Sequence, residues 1–285
     1  MKKMFIFVLF TVGLVLFMIG CHAPDFHPPV AEDSSLSDSG DTNVSGVCLP
    51  EMTPISGGTY TVGAPAELAN EDDKSRVPLG QVTLDDYCVT VLPFPGEGHA
   101  WPSEGLNADM VFRLDTVVHN FNLRVATAAE YLVAVSGENN DRYPGGVASW
   151  AEANCASDSN PGTIGDYPLC QSRDGVGGLL TYLFWVEVDE ETRETLQASQ
   201  NPPSGSTQYV VLGGLDPKDD AYCGDDLWGY ENHGEEIYAN ERGILLVATP
   251  GWVTVDQQTA YDAFVKTFVD SDAGSGGNWD SIIGD

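Results

Sequence analysis

The chain has 285 residues and carries 43 acidic against 12 basic side chains, a formal net charge of −31. Such a field repels nucleic acid, which we therefore exclude as a partner, and it favours cations and solvent. The simplest explanation of the charge is a solvated acidic surface. Hydrophobic residues make up 42% of the chain, enough for a large core, while 31 Gly and 17 Pro predict many turns and irregular loops.

The first 21 residues have the pattern of an export signal. Lys2 and Lys3 precede an uncharged apolar run at residues 4–20, and the small residue Gly20 stands directly before Cys21. The cysteine makes the segment resemble a bacterial lipoprotein signal, in which cleavage precedes Cys21 and lipid is attached to its sulfur. An ordinary signal peptide or an uncleaved membrane anchor is the alternative. We expect an exported protein that is lipid-anchored to the cell envelope, at the outer membrane or cell surface, where disulfides can form.

The composition of the rest of the chain indicates three segments. Residues 21–46 are rich in Pro, Ser and Asp and poor in large apolar side chains, which predicts a flexible acidic tether. We assign residues 47–252 to one domain and residues 253–285 to a C-terminal helix with a frayed tail. Removal of residues 1–20 takes away two lysines, so the mature charge becomes −33, which is −31 minus 2.

The predicted domain alternates short apolar segments with loops. β-branched and aromatic runs bounded by Gly and Pro predict strands at residues 59–62, 82–91, 179–188, 209–212 and 244–248. Polar or Pro/Gly-rich stretches predict loops at residues 67–76, 92–105 and 139–172.

Two helices are predicted. Thr127 and Glu130 have capping-box spacing, so Thr127 should begin a helix that ends at Gly137. Its buried face should consist of Tyr131, Leu132 and Val135. A second amphipathic helix is predicted at residues 257–269, with a buried face of Ala260, Tyr261, Phe264, Val265 and Phe268.

Five cysteines remain once Cys21 is assigned to lipid: Cys48, Cys88, Cys155, Cys170 and Cys223. Two disulfides and one free thiol is the simplest accounting of an odd number, and the sequence does not fix the pairing. Cys155 and Cys170 flank a short polar loop with little core of its own, where a disulfide is physically reasonable.

Several stretches follow one another in a distinctive order. They are a Gly-Gly turn leading into a strand, an acidic loop before a second strand, an Arg-led helix entry, an Arg-Tyr-Pro-Gly-Gly loop, and late Gly-Gly and Arg-Gly strands. They lie at residues 52–63, 71–89, 123–131, 142–154, 212–214 and 242–244. Together they resemble the formylglycine-generating enzyme (sulfatase-modifying factor) family, which has a variant of the C-type-lectin fold. The resemblance implies a loop-rich α+β domain with few helices, stapled by a disulfide between Cys48 and Cys88.

The departures from that family concern its chemistry. Residues 177–185 replace the family's Gly-Asn-Val-Trp-Glu-Trp turn and lack the Asn that helps to build a calcium site, and residues 243–245 lack the closing Arg. The family's enzymes bind copper with two cysteines after the late Gly-Gly, because thiolates are soft ligands for Cu(I). Here that segment contains only Cys223. The resemblance therefore implies a non-catalytic member, and copper is not expected.

Two weaker site hypotheses concern the acidic segment around Cys223. The thiol could be reactive or metal-binding, although a buried free Cys or a disulfide partner is the simpler interpretation, since neighbouring carboxylates raise a thiol's pKa. Clustered carboxylates could also hold Ca²⁺, although their spacing fits no EF-hand loop and a solvated acidic loop is the simpler interpretation. The calcium candidates are Asp219, Asp220, Asp225 and Asp226.

Aromatic residues in two predicted loops, at residues 92–109 and 218–236, are the candidate ligand surface. Exposed Trp and Tyr side chains anchor sugars or protein partners on loops that a rigid base holds in place. The alternative is that the rings fill the core. The candidates are Trp101, Tyr222, Trp228 and Tyr230. We expect a domain that binds an envelope protein or a glycan, and the competing hypothesis is an oxidase or other redox enzyme that uses Cys223.

Overall fold

The computed structural model of the chain describes residues 48–69, 76–96, 108–148, 152, 170–177, 183–188, 209–213, 227–229 and 242–270. The predicted signal peptide, the predicted tether and the tail from residue 271 lie outside these residues. The described residues all belong to one compact unit at residues 43–285. They form several small sheets and a few helices, so the predicted α+β class is confirmed.

The strands are β1 (Met52–Ile55), β2 (Gly58–Val62), β3 (Gly80–Leu84), β4 (Tyr87–Thr90), β5 (Arg124–Val125), β6 (Leu183–Glu187), β7 (Tyr209–Leu212), β8 (Arg242–Ile244) and β9 (Leu246–Ala248). The helices are α1 (Ala66–Ala69), α2 (Ala108–Val118), α3 (Ala128–Ser136) and α4 (Val255–Asp270), with 3-10 turns at His119–Phe121 and Pro144–Gly146.

Among the described residues the strands make three sheets. One has the order β1-β4-β9-β5, with every neighbouring pair antiparallel. The second has the order β7-β6-β8, in which β6 runs antiparallel to β7 and parallel to β8. The third is the antiparallel pair of β2 and β3.

The single strand predicted at residues 82–91 is wrong, because the segment forms two strands in different sheets. β3 pairs with β2, whereas β4 pairs with β1 and β9. Asp85 and Asp86 separate them, and the Asp86 carboxylate accepts a 2.6 Å hydrogen bond from the backbone N–H of Gly57. A Cβ at Gly57 would stand 2.8 Å from the Asp86 nitrogen, so only glycine permits this approach.

The strand predicted at residues 244–248 is also two strands. Ile244 ends β8 and pairs with Trp185 of β6, while Leu246 begins β9 and pairs with Val125 of β5. Between them, the carbonyl of Leu245 accepts a hydrogen bond from the N–H of Ala126. One continuous buried run therefore crosses from one sheet to another.

α3 confirms the prediction in detail. Thr127 is its N-cap and forms a capping box with Glu130, and Gly137 is its C-cap with a φ of 64°. The predicted face of Tyr131, Leu132 and Val135 is buried. The local signals sufficed because each capping bond joins residues only three or four positions apart.

α2 was not predicted, although its sequence carries a helical face. Val111, Leu114 and Val118 recur at intervals of three and four residues, and all three are fully buried. The Pro- and Gly-rich stretch before it directed the prediction toward a loop. α1 likewise begins at Ala66 and covers the first three residues of the loop predicted at residues 67–76.

Two groups of buried side chains form the core. One surrounds α3, and the other lies among α2, α4 and the four-stranded sheet. α4 extends the predicted helix at residues 257–269 by two residues at its N-terminus and one at its C-terminus. It packs through Tyr261 and Phe268, while Ala260, predicted as buried, is exposed.

Candidate functional site

Most residues that the sequence singled out lie outside the described residues. These are Cys21, Trp101, Cys155, Asp219, Asp220, Tyr222, Cys223, Asp225, Asp226 and Tyr230. The hypotheses of lipidation at Cys21, of a reactive thiol at Cys223 and of calcium binding therefore stay predictions. Within the part of the chain that the structure describes, no group of three or more His, Cys, Asp or Glu side chains is placed to hold a metal ion.

The structure contains the disulfide that the family resemblance implied, between Cys48 and Cys88. The two Cα atoms are 5.6 Å apart, and the bond closes a sequence separation of 40 residues. Cys88 lies in β4 and is almost completely buried, whereas Cys48 precedes β1. The bond therefore fixes the entry of the chain to the second strand of the four-stranded sheet.

Cys170 is disulfide-bonded as well. Because Cys48 and Cys88 are bonded to each other, the partner of Cys170 is a cysteine outside the described residues. Cys155 is the partner that the sequence suggested, and this pairing stays a prediction.

The predicted loop at residues 218–236 has three described residues, 227–229, and they are firmly held. Leu227 donates its N–H to the carbonyl of Arg142, at 3.0 Å. The carbonyl of Trp228 accepts from the N–H of Val77, and the carbonyl of Gly229 accepts from the N–H of Gly213, both at 2.8 Å. These three residues therefore form an anchor point between three other segments of the fold.

Trp228 lies inside the core, with only 4% of its surface exposed. Its assignment to an exposed ligand surface is therefore wrong, and the alternative that its ring fills the core is correct. Trp185 of β6 is buried in the same way, with 8% of its surface exposed. The anchor function of residues 227–229 explains the burial of Trp228, since a large ring seats the backbone there against the core.

The predicted loop at residues 92–109 begins from a second anchor point. The N–H of Phe94 donates a 3.0 Å hydrogen bond to the carbonyl of Ile244, and a cis peptide bond joins Phe94 to Pro95. The Phe94 ring packs edge-on against Phe268 of α4, with 4.9 Å between centroids, and also contacts Phe264. The last residues of this range, from 108, are the start of α2.

Glu130 of α3 is the centre of a polar cluster. Its carboxylate receives both Nη groups of Arg124, at 2.7 and 2.5 Å, and also caps the N–H and hydroxyl of Thr127. Burial by itself raises the pKa of Glu130, but the hydrogen bonds and charge of Arg124, followed by those of Thr127, outweigh it and lower the pKa. The carboxylate therefore stays ionised, and it links β5 to the N-terminus of α3.

Asp115 of α2 also links separate elements of the fold. Its carboxylate accepts 2.7 Å and 3.1 Å hydrogen bonds from the N–H of Val125 and the hydroxyl of Tyr209. Burial and the nearby Asp115 raise the pKa of Tyr209, so the phenol remains a donor at neutral pH. The interaction ties α2 to β5 and β7, and both carboxylates are engaged in holding elements together rather than facing a ligand.

A cleft of about 610 Å³ lies between α4, the turn after Phe94 and the residues next to Cys48. Its lining comprises Glu51, Pro95, Gly96, Tyr261, Asp262, Val265, Lys266, Val269 and Asp270. The sequence analysis missed this cleft. The spacing of Tyr261, Val265 and Val269 marks one face of a helix, but nothing in the sequence brings that face to Glu51.

No protein-family model matches the chain, and no curated protein matches it. The family resemblance thus rests on the sequence motifs. None of the helices in the described ranges is both long and apolar enough to cross a membrane.

Proposed function

We propose that the protein is an exported lipoprotein whose formylglycine-generating-enzyme-like domain, a variant of the C-type-lectin fold, has lost catalysis and binds a protein or glycan at the cell envelope. Cys21 carries the lipid, residues 21–46 are the tether, and residues 47–252 supply the binding domain. Its loops around residues 92–109 and 218–236 present Trp101, Tyr222 and Tyr230.

The observation that carries the proposal is the Cys48–Cys88 disulfide. Its cysteines lie just before the opening strand and in β4, the positions where exported members of the resembled family carry them. Disulfides persist in oxidising compartments outside the cytosol, which agrees with the export signal in the first 21 residues.

The two anchor points, residues 92–96 and 227–229, support a binding role. Binding residues are often carried on loops that a rigid scaffold positions. The first anchor point is held by the backbone hydrogen bond from Phe94 to Ile244 of β8. The second is held by the backbone hydrogen bonds that residues 227–229 form with Val77, Arg142 and Gly213. A substitution of Trp101, Tyr222 or Tyr230 by Ala should therefore weaken binding while leaving the fold intact.

The loss of catalysis follows from the cysteine count. With Cys21 lipidated and Cys48 bonded to Cys88, the bonded Cys170 leaves one of Cys155 and Cys223 as the only remaining thiol. A two-sulfur copper site cannot be built from one thiolate. If the partner of Cys170 is Cys155, then Cys223 is a lone thiol.

Mapping of free thiols and disulfides by mass spectrometry, with and without added copper, tests the non-catalytic assignment. The expected result is a Cys155–Cys170 disulfide and a Cys223 that is slow to alkylate and unaffected by copper. A rapidly alkylated Cys223 that copper protects would instead favour the oxidase hypothesis.

Lipidation is tested separately by labelling cells with an alkyne fatty acid and comparing Cys21→Ala with Cys223→Ala. We expect the label to be lost only in Cys21→Ala. Label that persists in Cys21→Ala would reject the lipoprotein assignment. A glycan array and envelope-protein cross-linking, each with Trp101→Ala as control, then identify the ligand class.

A further inference from the structure

The cleft beside α4 has an apolar floor. Tyr261, Val265 and Val269 follow one another at intervals of four residues and form one stripe along the helix. Tyr261 is 8% exposed, and Val265 and Val269 are half-buried. Pro95 also lines the cleft. A stripe of this kind fits the alternate apolar side chains of a docked segment.

The rim of the cleft is acidic. Glu51, Asp262 and Asp270 are exposed carboxylates, and Lys266 is the only basic residue in the lining. The ammonium group of Lys266 is already engaged, because its Nζ lies 2.5 Å from the Asp270 carboxylate. Burial, followed by the charges of Glu51 and Asp262, raises the pKa of Tyr261, so both carboxylates act directly on the floor.

Charge decides which occupant fits. The chain's own tail at residues 271–285 contains three Asp and no Lys or Arg, so the rim would repel it. A second copy of the protein would bring the same acidic surface, with a formal charge of −31. A cationic partner is instead attracted both by the rim and by the field of the whole molecule.

We infer that this cleft binds a segment of another protein in which apolar side chains are flanked by Lys or Arg. The apolar side chains would cover Val265 and Val269, and the basic groups would pair with Glu51 and Asp262. The inference deepens the proposed binding role by naming a class of partner. It is independent of lipidation and of thiol chemistry, whose tests read out at Cys21 and Cys223.

The test uses the full chain in a nonionic detergent and a fluorescein-labelled amphipathic peptide of Leu and Lys, with a Leu and Glu peptide as its control. Fluorescence anisotropy in about 0.15 M NaCl measures the dissociation constant. The double variant Glu51→Gln/Asp262→Asn should weaken Leu-Lys binding by about fivefold or more. The matched variant Glu67→Gln/Asp85→Asn removes two exposed carboxylates outside the cleft and should change it by less than about twofold.

The variant Val265→Ser tests whether the apolar floor contributes to binding. Its control is Val255→Ser, which alters an exposed valine of the same helix. Only Val265→Ser should weaken binding. Thermal unfolding of every variant checks that the fold is intact, since all four carboxylates in the double variants are exposed.

Four results would overturn the inference. No binding of the Leu-Lys peptide would mean that the cleft does not take such a segment. Equal weakening by both double variants would mean that the general acidic field is the only attraction. Tighter binding by a chain ending at Asp270 would show that the protein's own tail occupies the cleft. Self-association in sedimentation velocity that Val265→Ser abolishes would assign the cleft to a second copy.

Discussion

Glu130 joins three parts of the molecule through one residue. Its carboxylate pairs with Arg124 of β5 and caps α3, and its backbone carbonyl accepts a 2.7 Å hydrogen bond from the hydroxyl of Tyr87 in β4. The Glu130 side chain is 8% exposed and that of Arg124 is 37% exposed. Breaking such a pair leaves a mostly buried charge without its partner.

Arg124→Met removes the charge and keeps most of the length of the side chain. It should therefore lower the free energy of unfolding by about 2 kcal/mol. The loss is smaller than for a fully buried pair because Arg124 is partly exposed. Urea denaturation measures the change. Lys266→Met is the matched control, since it removes the cation of an exposed pair and should cost less than about 0.5 kcal/mol. Equal effects of the two substitutions would contradict the structural role of the Arg124–Glu130 pair.

The lowered pKa of Glu130 predicts a pH dependence. A carboxyl whose pKa is lower in the folded state stabilises the fold above its unfolded pKa of about 4.5, and this contribution disappears as pH falls through the folded value. The stability difference between the wild type and Glu130→Gln should be constant near neutral pH and shrink below about pH 4.5. Glu67→Gln, at an exposed position, serves as the reference in urea titrations from neutral to acid pH. A difference that grows on acidification would reverse the sign and refute the assignment.

Asp174 shows the opposite electrostatic situation. Partial burial, followed by the charge of Glu138, raises its pKa. Because its ionised form is disfavoured in the fold, Asp174→Asn should raise the thermal midpoint slightly at pH 7, and the gain should vanish in acid, where the wild-type carboxyl is protonated. Asp85→Asn, on the exposed turn between β3 and β4, is the control. A fall in the midpoint at pH 7 would show that Asp174 makes a favourable contact instead.

At the scale of elements, aromatic side chains attach α4 to the rest of the fold. Phe264 and Phe268 contact Phe94, and Phe121 packs against Tyr261 and Phe264. The same contacts fix the start of the predicted loop at residues 92–109. The helix therefore supports both the cleft and one of the two anchor points.

Phe268→Ala should cost about 3–5 kcal/mol, because a ring that is 1% exposed is replaced by a cavity. Phe112→Ala, at a ring that is 53% exposed on α2, should cost less than about 1 kcal/mol. Hydrogen–deuterium exchange should then show faster exchange in α4 and at Phe94 in the first variant only. Unchanged protection of α4 would mean that the aromatic contacts do not hold the helix.

At the scale of the whole molecule, the Cys48–Cys88 disulfide restrains an unfolded chain over a separation of 40 residues. A loop of that length corresponds to about 3–4 kcal/mol of stability in the chain-entropy estimate. Cys48→Ala and the double variant Cys48→Ala/Cys88→Ala should lose similar amounts, since either removes the cross-link. Urea unfolding measures both variants, and wild-type stability in the double variant would mean that the cross-link contributes nothing.

Local signals in the sequence determined the elements that depend on neighbouring residues. Thr127, Glu130 and Gly137 fix α3 because caps act over three or four residues. The motif order also implied the Cys48–Cys88 pair. The same local reading missed α2, whose buried valines were present in the sequence but followed a stretch dominated by Pro and Gly.

Only the tertiary structure decided what depends on distant residues. The apolar run at residues 244–248 gives no sign of where it leaves one sheet for another, because strand pairing is set by partners far along the chain. Trp228 looks like a ligand-binding aromatic in sequence, yet its ring is buried where residues 227–229 are hydrogen-bonded through their backbone to three other segments. The acidic cleft likewise exists only because Met52, which follows Glu51, packs in the same second core as Tyr261 and Phe268 of α4, about 200 positions further along the chain.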